Sequence, residues 1–271
     1  MDKNQRQNTD NYNMLSNSRI KYLSSLKQKK FRRRERRFLA EGGNLIKTAI
    51  EIGFAPEEIF YSIDYGQKKI EMISSNGLVK KSFITNSQMK RLSQMTTPPG
   101  IIALMPFFDG KLADFESFKK ILFFDKVSDP GNAGTLIRNA CAFGFEGVLM
   151  SEGSCDIYNA KLLRSSAGYV FHIPILDGIS IERLAELKQK GFKLISTSPN
   201  SQLSIEETEC PEKSILILGN EPHGVSNEIK EIADMEIKIP LMGDIDSLNV
   251  ASAGAVLMYW ARNKSPVAEK K

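Results

Sequence analysis

Ile121-Leu122-Phe123-Phe124-Asp125-Lys126-Val127 runs straight into Ser128-Asp129-Pro130-Gly131-Asn132-Ala133-Gly134-Thr135, and Leu136-Ile137-Arg138-Asn139-Ala140-Cys141-Ala142-Phe143 follows. A nearly unbroken apolar run of strand length, a loop punctuated by Pro130 and Gly131, and then apolar residues at helical spacing predict a strand buried on both faces that leads into a helix. Leu136, Ile137, Ala140 and Cys141 form the inward face of that helix, Arg138 and Asn139 lie on the other side, and Asn132 offers an N-cap. The same alternation recurs. Ile121–Val127, Gly147–Ser151, Val170–Leu176, Lys193–Ser198, Ser214–Gly219 and Met235–Leu241 are short apolar stretches. Between and after them come helical patterns at Ala133–Phe143, Tyr158–Ala167, Ile181–Lys190, Ser226–Ala233 and Ser247–Arg262. Together they predict an α/β domain over residues 120–264, a mostly parallel sheet with helices on both faces.

Toward the N-terminus the pattern changes. Residues 17–107 read as a small α/β domain: a basic helix Ile20–Arg34, a turn at Glu41-Gly42-Gly43, a helix Asn44–Ile52 and strands at Glu58–Ser62, Leu78–Ile84 and Ile101–Phe107. Thr96-Thr97-Pro98-Pro99-Gly100 breaks the chain before the last of these. Residues 1–16 read as a disordered N-terminus, 108–119 as a polar linker and 265–271 as a frayed tail. A length of 271 residues agrees with two domains.

Hydrophobic residues at 41% and charged residues at 25% exclude a long disordered or fibrous chain. No apolar run is long enough to span a membrane, and the polar N-terminus has no secretory h-region. Cys141, Cys155 and Cys210 are odd in number and widely spaced, so neither a disulfide framework nor a zinc ribbon fits, and the cytoplasm is the expected compartment. The formal charge of +5 conceals an asymmetry. Residues 1–38 hold twelve Lys and Arg against Asp2, Asp10 and Glu35, a local +9 that leaves −4 for the rest. Lys27, Lys29, Lys30, Arg32, Arg33, Arg34, Arg36 and Arg37 carry most of it. Such a cluster suits either a solvated helix face or a nucleic-acid footprint, where cations gain by releasing counterions from phosphate.

In open α/β sheets ligands bind beyond the carboxyl ends of the strands. The loop around Pro130 could cradle phosphate, but it has neither dinucleotide nor P-loop spacing. A second loop, Gly219-Asn220-Glu221-Pro222-His223-Gly224-Val225, puts backbone amides and one carboxylate at a strand end. A third follows Ile237-Lys238-Ile239-Pro240-Leu241 and reaches Ser247-Leu248-Asn249-Val250, polar groups at the mouth of a helix rich in small residues.

Taken in order, Asp129-Pro130-x-Asn132-x-Gly134-x-x-x-Arg138, Gly219-Asn220-Glu221-x-x-Gly224, and Ile239-Pro240 with Ser247-Leu248-Asn249-Val250 resemble the three motifs of the SpoU/TrmH RNA methyltransferases of the SPOUT superfamily. Lys161-Leu162-Leu163-Arg164-Ser165-Ser166-Ala167-Gly168 is similar to that family's helix between the first two motifs. The resemblance covers roughly residues 121–262, and 17–107 is similar in pattern to the family's ribosomal-protein-like substrate-binding domain.

What the resemblance implies is specific. The C-terminal domain would carry a trefoil knot, act as a homodimer and transfer a methyl group from S-adenosylmethionine to a ribose 2′-hydroxyl of RNA, without a metal. Thr197, Ser198, Gly219, Asn220, Ile239 and Leu248 would hold the cofactor. Arg138 would be the essential arginine, with Asn132 positioning it or the ribose, Glu221 orienting the loops and Ser247 and Asn249 completing the polar wall. The basic cluster at Lys27–Arg37 would bind RNA. The expected substrate is 23S-type rRNA, with tRNA as the alternative. Two other readings compete. A non-catalytic ribosome-assembly protein is opposed by the intact polar set and would not bind S-adenosylmethionine. A nicotinamide oxidoreductase lacks the glycine spacing and a ribose-binding acid, since Glu152 follows its strand too loosely.

Overall fold

The computed structural model describes residues 15–66, 70, 73, 79–108, 114–243 and 245–262. The expected disordered segment and tail, and the centre of the expected linker, fall largely outside these residues. Contacts divide the chain into two units: the described residues up to Phe108 together with Tyr158–Phe171, and the remainder.

The first unit is built on a four-stranded sheet in the order β1-β4-β2-β3, comprising β1 (Arg37–Glu41), β2 (Glu58–Tyr61), β3 (Lys80–Phe83) and β4 (Ile101–Pro106). Antiparallel β4 lies between β1 and β2, and β3 pairs parallel to β2. Helices α1 (Asn17–Ser25) and α4 (Asn86–Leu92) share a core with the strands: Ile20, Leu23, Met89 and Leu92 pack with Leu39, Phe60, Ile102 and Leu104. Helix α3 (Gly43–Glu51) contacts β1 and β4 through its buried Leu45, Ile46 and Ala49.

The sequence pattern predicts one basic helix over 20–34. Instead the chain turns at Leu26–Gln28 and restarts as α2 (Lys29–Glu35), whose C-cap Arg36 adopts a left-handed φ of 50° before β1 begins. The cause is a buried cation. Arg32, only 4% exposed, folds back and donates from Nη1 to the carbonyls of Leu26 at 3.0 Å and Lys27 at 2.6 Å. It thereby satisfies acceptors that the end of α1 leaves open.

A second departure is the segment Tyr158–Phe171, expected within the C-terminal domain. It belongs to the first unit. Tyr158 stacks on Phe107 with ring centroids 3.6 Å apart and donates its hydroxyl to the Phe108 carbonyl at 2.9 Å, while Phe171 lies 5.3 Å from Phe54. Helix α6 (Ala160–Ser165) touches β1 within the same unit.

The second unit contains a seven-stranded sheet in the order β7-β6-β5-β10-β8-β11-β9, with every neighbouring pair parallel. Its strands are β5 (Lys120–Phe124), β6 (Gly147–Ser151), β7 (Ile175–Ile179), β8 (Lys193–Thr197), β9 (Leu203–Ser204), β10 (Ser214–Leu218) and β11 (Met235–Lys238). Ile121, Phe123, Ile215 and Ile217 face α7 (Ile181–Gln189) and α8 (Asn227–Ile232) through Leu184, Leu187 and Ile229. On the other side α5 (Pro130–Ala142) packs against α9 (Val250–Ala261). Gly254 permits that contact, because a Cβ there would sit 2.2 Å from Leu136 Cδ2 and 2.8 Å from Leu218 Cδ1.

The apolar run expected as a strand at Val170–Leu176 divides at Pro174. Tyr169–Phe171 is a 3₁₀ turn, and the strand starts at Ile175.

Candidate active site

Strands β5, β10, β8 and β11 are consecutive across the sheet, so the loops leaving their carboxyl ends are neighbours. The loop after β5 enters α5 through Asp129, not Asn132. Asp129 Oδ1 accepts the Asn132 amide at 2.8 Å, and Pro130 occupies the first turn, where a missing N–H costs nothing. The sequence reading of Asn132 as N-cap is thereby corrected. Both residue types can cap, and Pro130 places the helix start one position after Asp129.

Released from capping, the Asn132 side chain joins the three motifs. Its Nδ2 donates to Glu221 Oε1 at 2.8 Å, and its Oδ1 accepts from Asn249 Nδ2 at 3.2 Å. Asn249 Oδ1 in turn accepts the amides of Ala251 at 2.9 Å and Ser252 at 3.4 Å, capping α9. The amide orientations are mutually consistent, since a carboxylate can only accept and an N-cap oxygen must accept.

The loop after β10 is a tight hairpin. Asn220 and Gly224 exchange backbone hydrogen bonds of 3.0 and 2.8 Å, leaving Glu221-Pro222-His223 exposed at its tip. Gly219 is the position where this turn closes: a Cβ there would lie 2.1 Å from the Gly224 carbonyl carbon and 2.2 Å from the Val225 nitrogen. Two further bonds fix the loop to the end of β5. Asn220 Nδ2 donates to the Lys126 carbonyl at 2.9 Å, and the Ser226 amide donates to buried Asp125 at 2.6 Å.

Beside this hairpin opens a cavity of about 620 Å³. Thr197, Ser198, Gly219, Asn220, Ile239 and Leu248, all six expected cofactor residues, line it, as do Glu221, Ser247 and Asn249. Its wall at β8 is held by Thr197 Oγ1 donating to the Ile217 carbonyl at 3.1 Å and by the Ser198 amide on the Ile237 carbonyl at 3.0 Å. Ala253 and Leu257, one helical turn apart on α9, also line the cavity. The sequence reading named neither for the site; their spacing after Asn249 was the available signal.

Asn132 and Arg138 are not lining residues of this cavity. Arg138 is exposed on α5, and its guanidinium has no hydrogen-bond or ion-pair partner among the described residues. The Asn132 side chain is engaged by Glu221 and Asn249, not by Arg138.

The basic cluster of the first unit is not uniform. Lys29, Lys30, Arg33, Arg34 and Arg36 are exposed. Arg34 is bonded to Glu35 at 2.8 Å and stacks over Phe31. Lys27 donates to the carbonyls of Arg91 at 2.7 Å and Ser93 at 2.8 Å, and burial lowers its ammonium pKa despite nearby Glu41. Arg37 holds Glu57 through Nε, and that bond raises its pKa. Arg32 differs from the other cations of the cluster, because it is buried and its guanidinium is taken by the carbonyls that end α1.

The cavity suits a nucleoside-sized cofactor. Its volume lies within the roughly 300–1,000 Å³ of small-molecule sites, and it combines an apolar floor with exposed backbone and a few polar groups. Comparison with known proteins agrees with the motifs. The SpoU rRNA Methylase family matches residues 119–259, and an MRM3-like substrate binding domain matches residues 17–103. The 23S rRNA (guanosine(2553)-2′-O)-methyltransferase RlmP of Bacillus subtilis (strain 168) is 33% identical over 246 residues, 91% of this chain and 96% of that protein. A crystal structure of an RNA 2′-O ribose methyltransferase superposes with a TM-score of 0.80 at 30% identity, covering 92% of this chain and 96% of the other. The SpoU methyltransferase AviRb of Streptomyces viridochromogenes, solved in complex with the cofactor AdoMet, gives 0.82 at 25% identity, over 91% and 97% of the two chains. With three ordered motifs joined by one hydrogen-bonded chain at the mouth of a cofactor-sized cavity, this protein belongs to the SpoU rRNA methylase family.

Proposed function

We propose that the protein transfers a methyl group from S-adenosylmethionine to a ribose 2′-hydroxyl of 23S-type rRNA. The observation that carries this reading is the Asn249–Asn132–Glu221 chain, which locks the three motif loops around the cavity. The 23S assignment draws on the relative from Bacillus subtilis, and tRNA is the alternative.

Bound in the cavity, S-adenosylmethionine supplies an electrophilic sulfonium methyl. Gly219, Ile239 and Leu248 enclose it through backbone groups, and Thr197 and Ser198 wall it. What remains for the protein is to orient and activate a weak nucleophile, the ribose hydroxyl. A guanidinium offers five N–H donors and no acceptor, so Arg138 serves as a cation and not as a base. It grips a substrate phosphate and stabilises the developing alkoxide, while that phosphate or a water takes the proton. Glu221, Asn132 and Asn249 hold the loops in register, and Ser247 completes the polar wall.

The division of labour follows the two matched segments. Residues 17–107 grip folded RNA by shape and phosphate contacts, with the exposed cations of α2 as part of that grip. Residues 120–264, apart from the Tyr158–Phe171 segment that groups with the first unit, form the catalytic domain, with its knot at the tight Gly219 turn. Exposed Val256 and Tyr259 on α9 supply an apolar face for a homodimer, and three cysteines outside any disulfide suit the cytoplasm. Arg138→Ala tests the assigned chemistry: the variant should bind S-adenosylmethionine normally and lose about 10²–10³ in methyl transfer. Near-wild-type transfer by that variant would eliminate the role given to Arg138.

A further inference from the structure

Lys126, at the carboxyl end of β5, is one of three non-glycine residues with positive φ among the described residues; its φ is 55°. L-residues avoid this conformation because Cβ approaches the backbone, and glycine or asparagine adopts it most easily. Here the conformation is fixed from both sides. The Lys126 amide donates to Ser151 Oγ at 2.9 Å, and its carbonyl accepts Asn220 Nδ2 at 2.9 Å, so two neighbouring strand-end loops hold this one residue. Its aliphatic stem passes over Gly153, whose own φ is 89°; a Cβ there would lie 3.4 Å from Lys126 Cγ. The side chain is exposed, and its ammonium has no partner among the described residues.

A backbone need alone would be met better by glycine. A lysine held in a strained conformation by two loops, with its stem over Gly153 and its charge unpaired among the described residues, indicates that the charge is used. The two ligands expected at this end of the sheet are the cofactor and the RNA strand. Lys126 reaches the cofactor cavity only through its carbonyl, which secures Asn220, and it is not among the residues that line the cavity. We propose that Lys126 grips a phosphate of the RNA strand beside the target ribose, acting on the polynucleotide and not on the cofactor. This rests on the methyltransferase reading and deepens it by adding a substrate contact in the catalytic unit, separate from the basic helix.

The test uses the full chain and an unmethylated 23S rRNA transcript. Equilibrium RNA binding is measured across a salt series, with S-adenosylmethionine affinity determined in parallel by calorimetry. Lys126→Gly keeps the left-handed backbone and removes the charge; Lys126→Ala removes both; Lys126→Arg keeps the charge. Both neutral variants should bind RNA about tenfold more weakly, and the slope of log K against log salt should fall by about one. The arginine variant should restore both, and cofactor affinity should stay unchanged in the glycine variant, which keeps the backbone that secures Asn220. If Lys126→Gly binds RNA with wild-type affinity and slope, the residue serves the backbone only and the proposal falls. Weakened cofactor binding with intact RNA binding would overturn it as well, by giving the charge to the cofactor. Wild-type protein that binds the transcript but transfers no methyl would defeat the methyltransferase reading while leaving the Lys126 result standing.

Discussion

Gly219→Ala should damage cofactor binding far more than its single added methyl suggests. The new Cβ would meet backbone, 2.1 Å from the Gly224 carbonyl carbon and 2.2 Å from the Val225 nitrogen, where no flexible side chain can yield. The hairpin must open, and the two Asn220–Gly224 backbone bonds break. At roughly 1 kcal/mol net per bond, the closed loop loses about 2 kcal/mol. If the cofactor binds only the closed loop, its apparent affinity falls by about thirtyfold. Gly224→Ala is the matched comparison. No atom lies within 4 Å of its Cβ, but φ is 68°, so the cost is conformational, about 1 kcal/mol or some fivefold in affinity. Calorimetric titration with S-adenosylmethionine, with far-ultraviolet circular dichroism to show that the fold survives, measures both. A Gly219→Ala protein that binds within twofold of wild type, or a Gly224→Ala protein that binds worse than it, would refute the steric argument.

Glu58 is buried and takes Arg19 at 2.8 Å, Lys80 at 2.9 Å and Ser82 at 2.6 Å; burial pushes its carboxyl pKa up, but these hydrogen bonds outweigh it and the pKa lies below the ordinary 4.5. Its contribution is therefore complete above pH 4.5 and is lost as pH falls through the lower folded value, and Glu58→Ala should cost about 2 kcal/mol in urea unfolding at pH 7, since both cations can turn to water. Arg32→Ala should lower stability by about 2–3 kcal/mol, whereas Lys29→Ala with Lys30→Ala should stay within about 1 kcal/mol of wild type and reduce the salt slope of RNA binding by about two. Burial pushes the Cys141 thiol from 9.0 up to about 11, so iodoacetamide at pH 8 should alkylate it about a hundredfold more slowly than in urea-unfolded chain, as read by peptide mass spectrometry. By the same shift, the stability contributed by neutral Cys141 is intact below pH 9 and fades as pH rises toward 11.

How far the sequence could be read depended on how completely each element is buried. Strands such as β5 and β10 are enclosed on both faces, and their unbroken apolar runs declared them. Edge strands did not. At β7 only Ile175 is fully buried, and Asp177 and Gly178 face outward, so the apolar signal drifted upstream to Val170. Strand β1 was read as part of a basic stretch and a turn, because Arg37 and Glu41 bracket it and its pairing with β4 is distant in sequence. The cavity residues were legible through the resemblance of the three ordered motifs to a known family; strand-end geometry alone marked only the loops that carry them. Two features were not. A buried arginine has the same letter as an exposed one, so Arg32 looked like its neighbours. The left-handed turn at Lys126 lies where no glycine marks it, and only the bonds from Ser151 and to Asn220 show it.

The most direct test of the central claim is methyl transfer itself. Purified protein is incubated with methyl-labelled S-adenosylmethionine and unmethylated 23S rRNA, and the product is digested to nucleosides and mapped. The account predicts label on a ribose 2′-oxygen at one position, dependent on Arg138. Label on a base, or cofactor binding without transfer to any rRNA or tRNA, would contradict it.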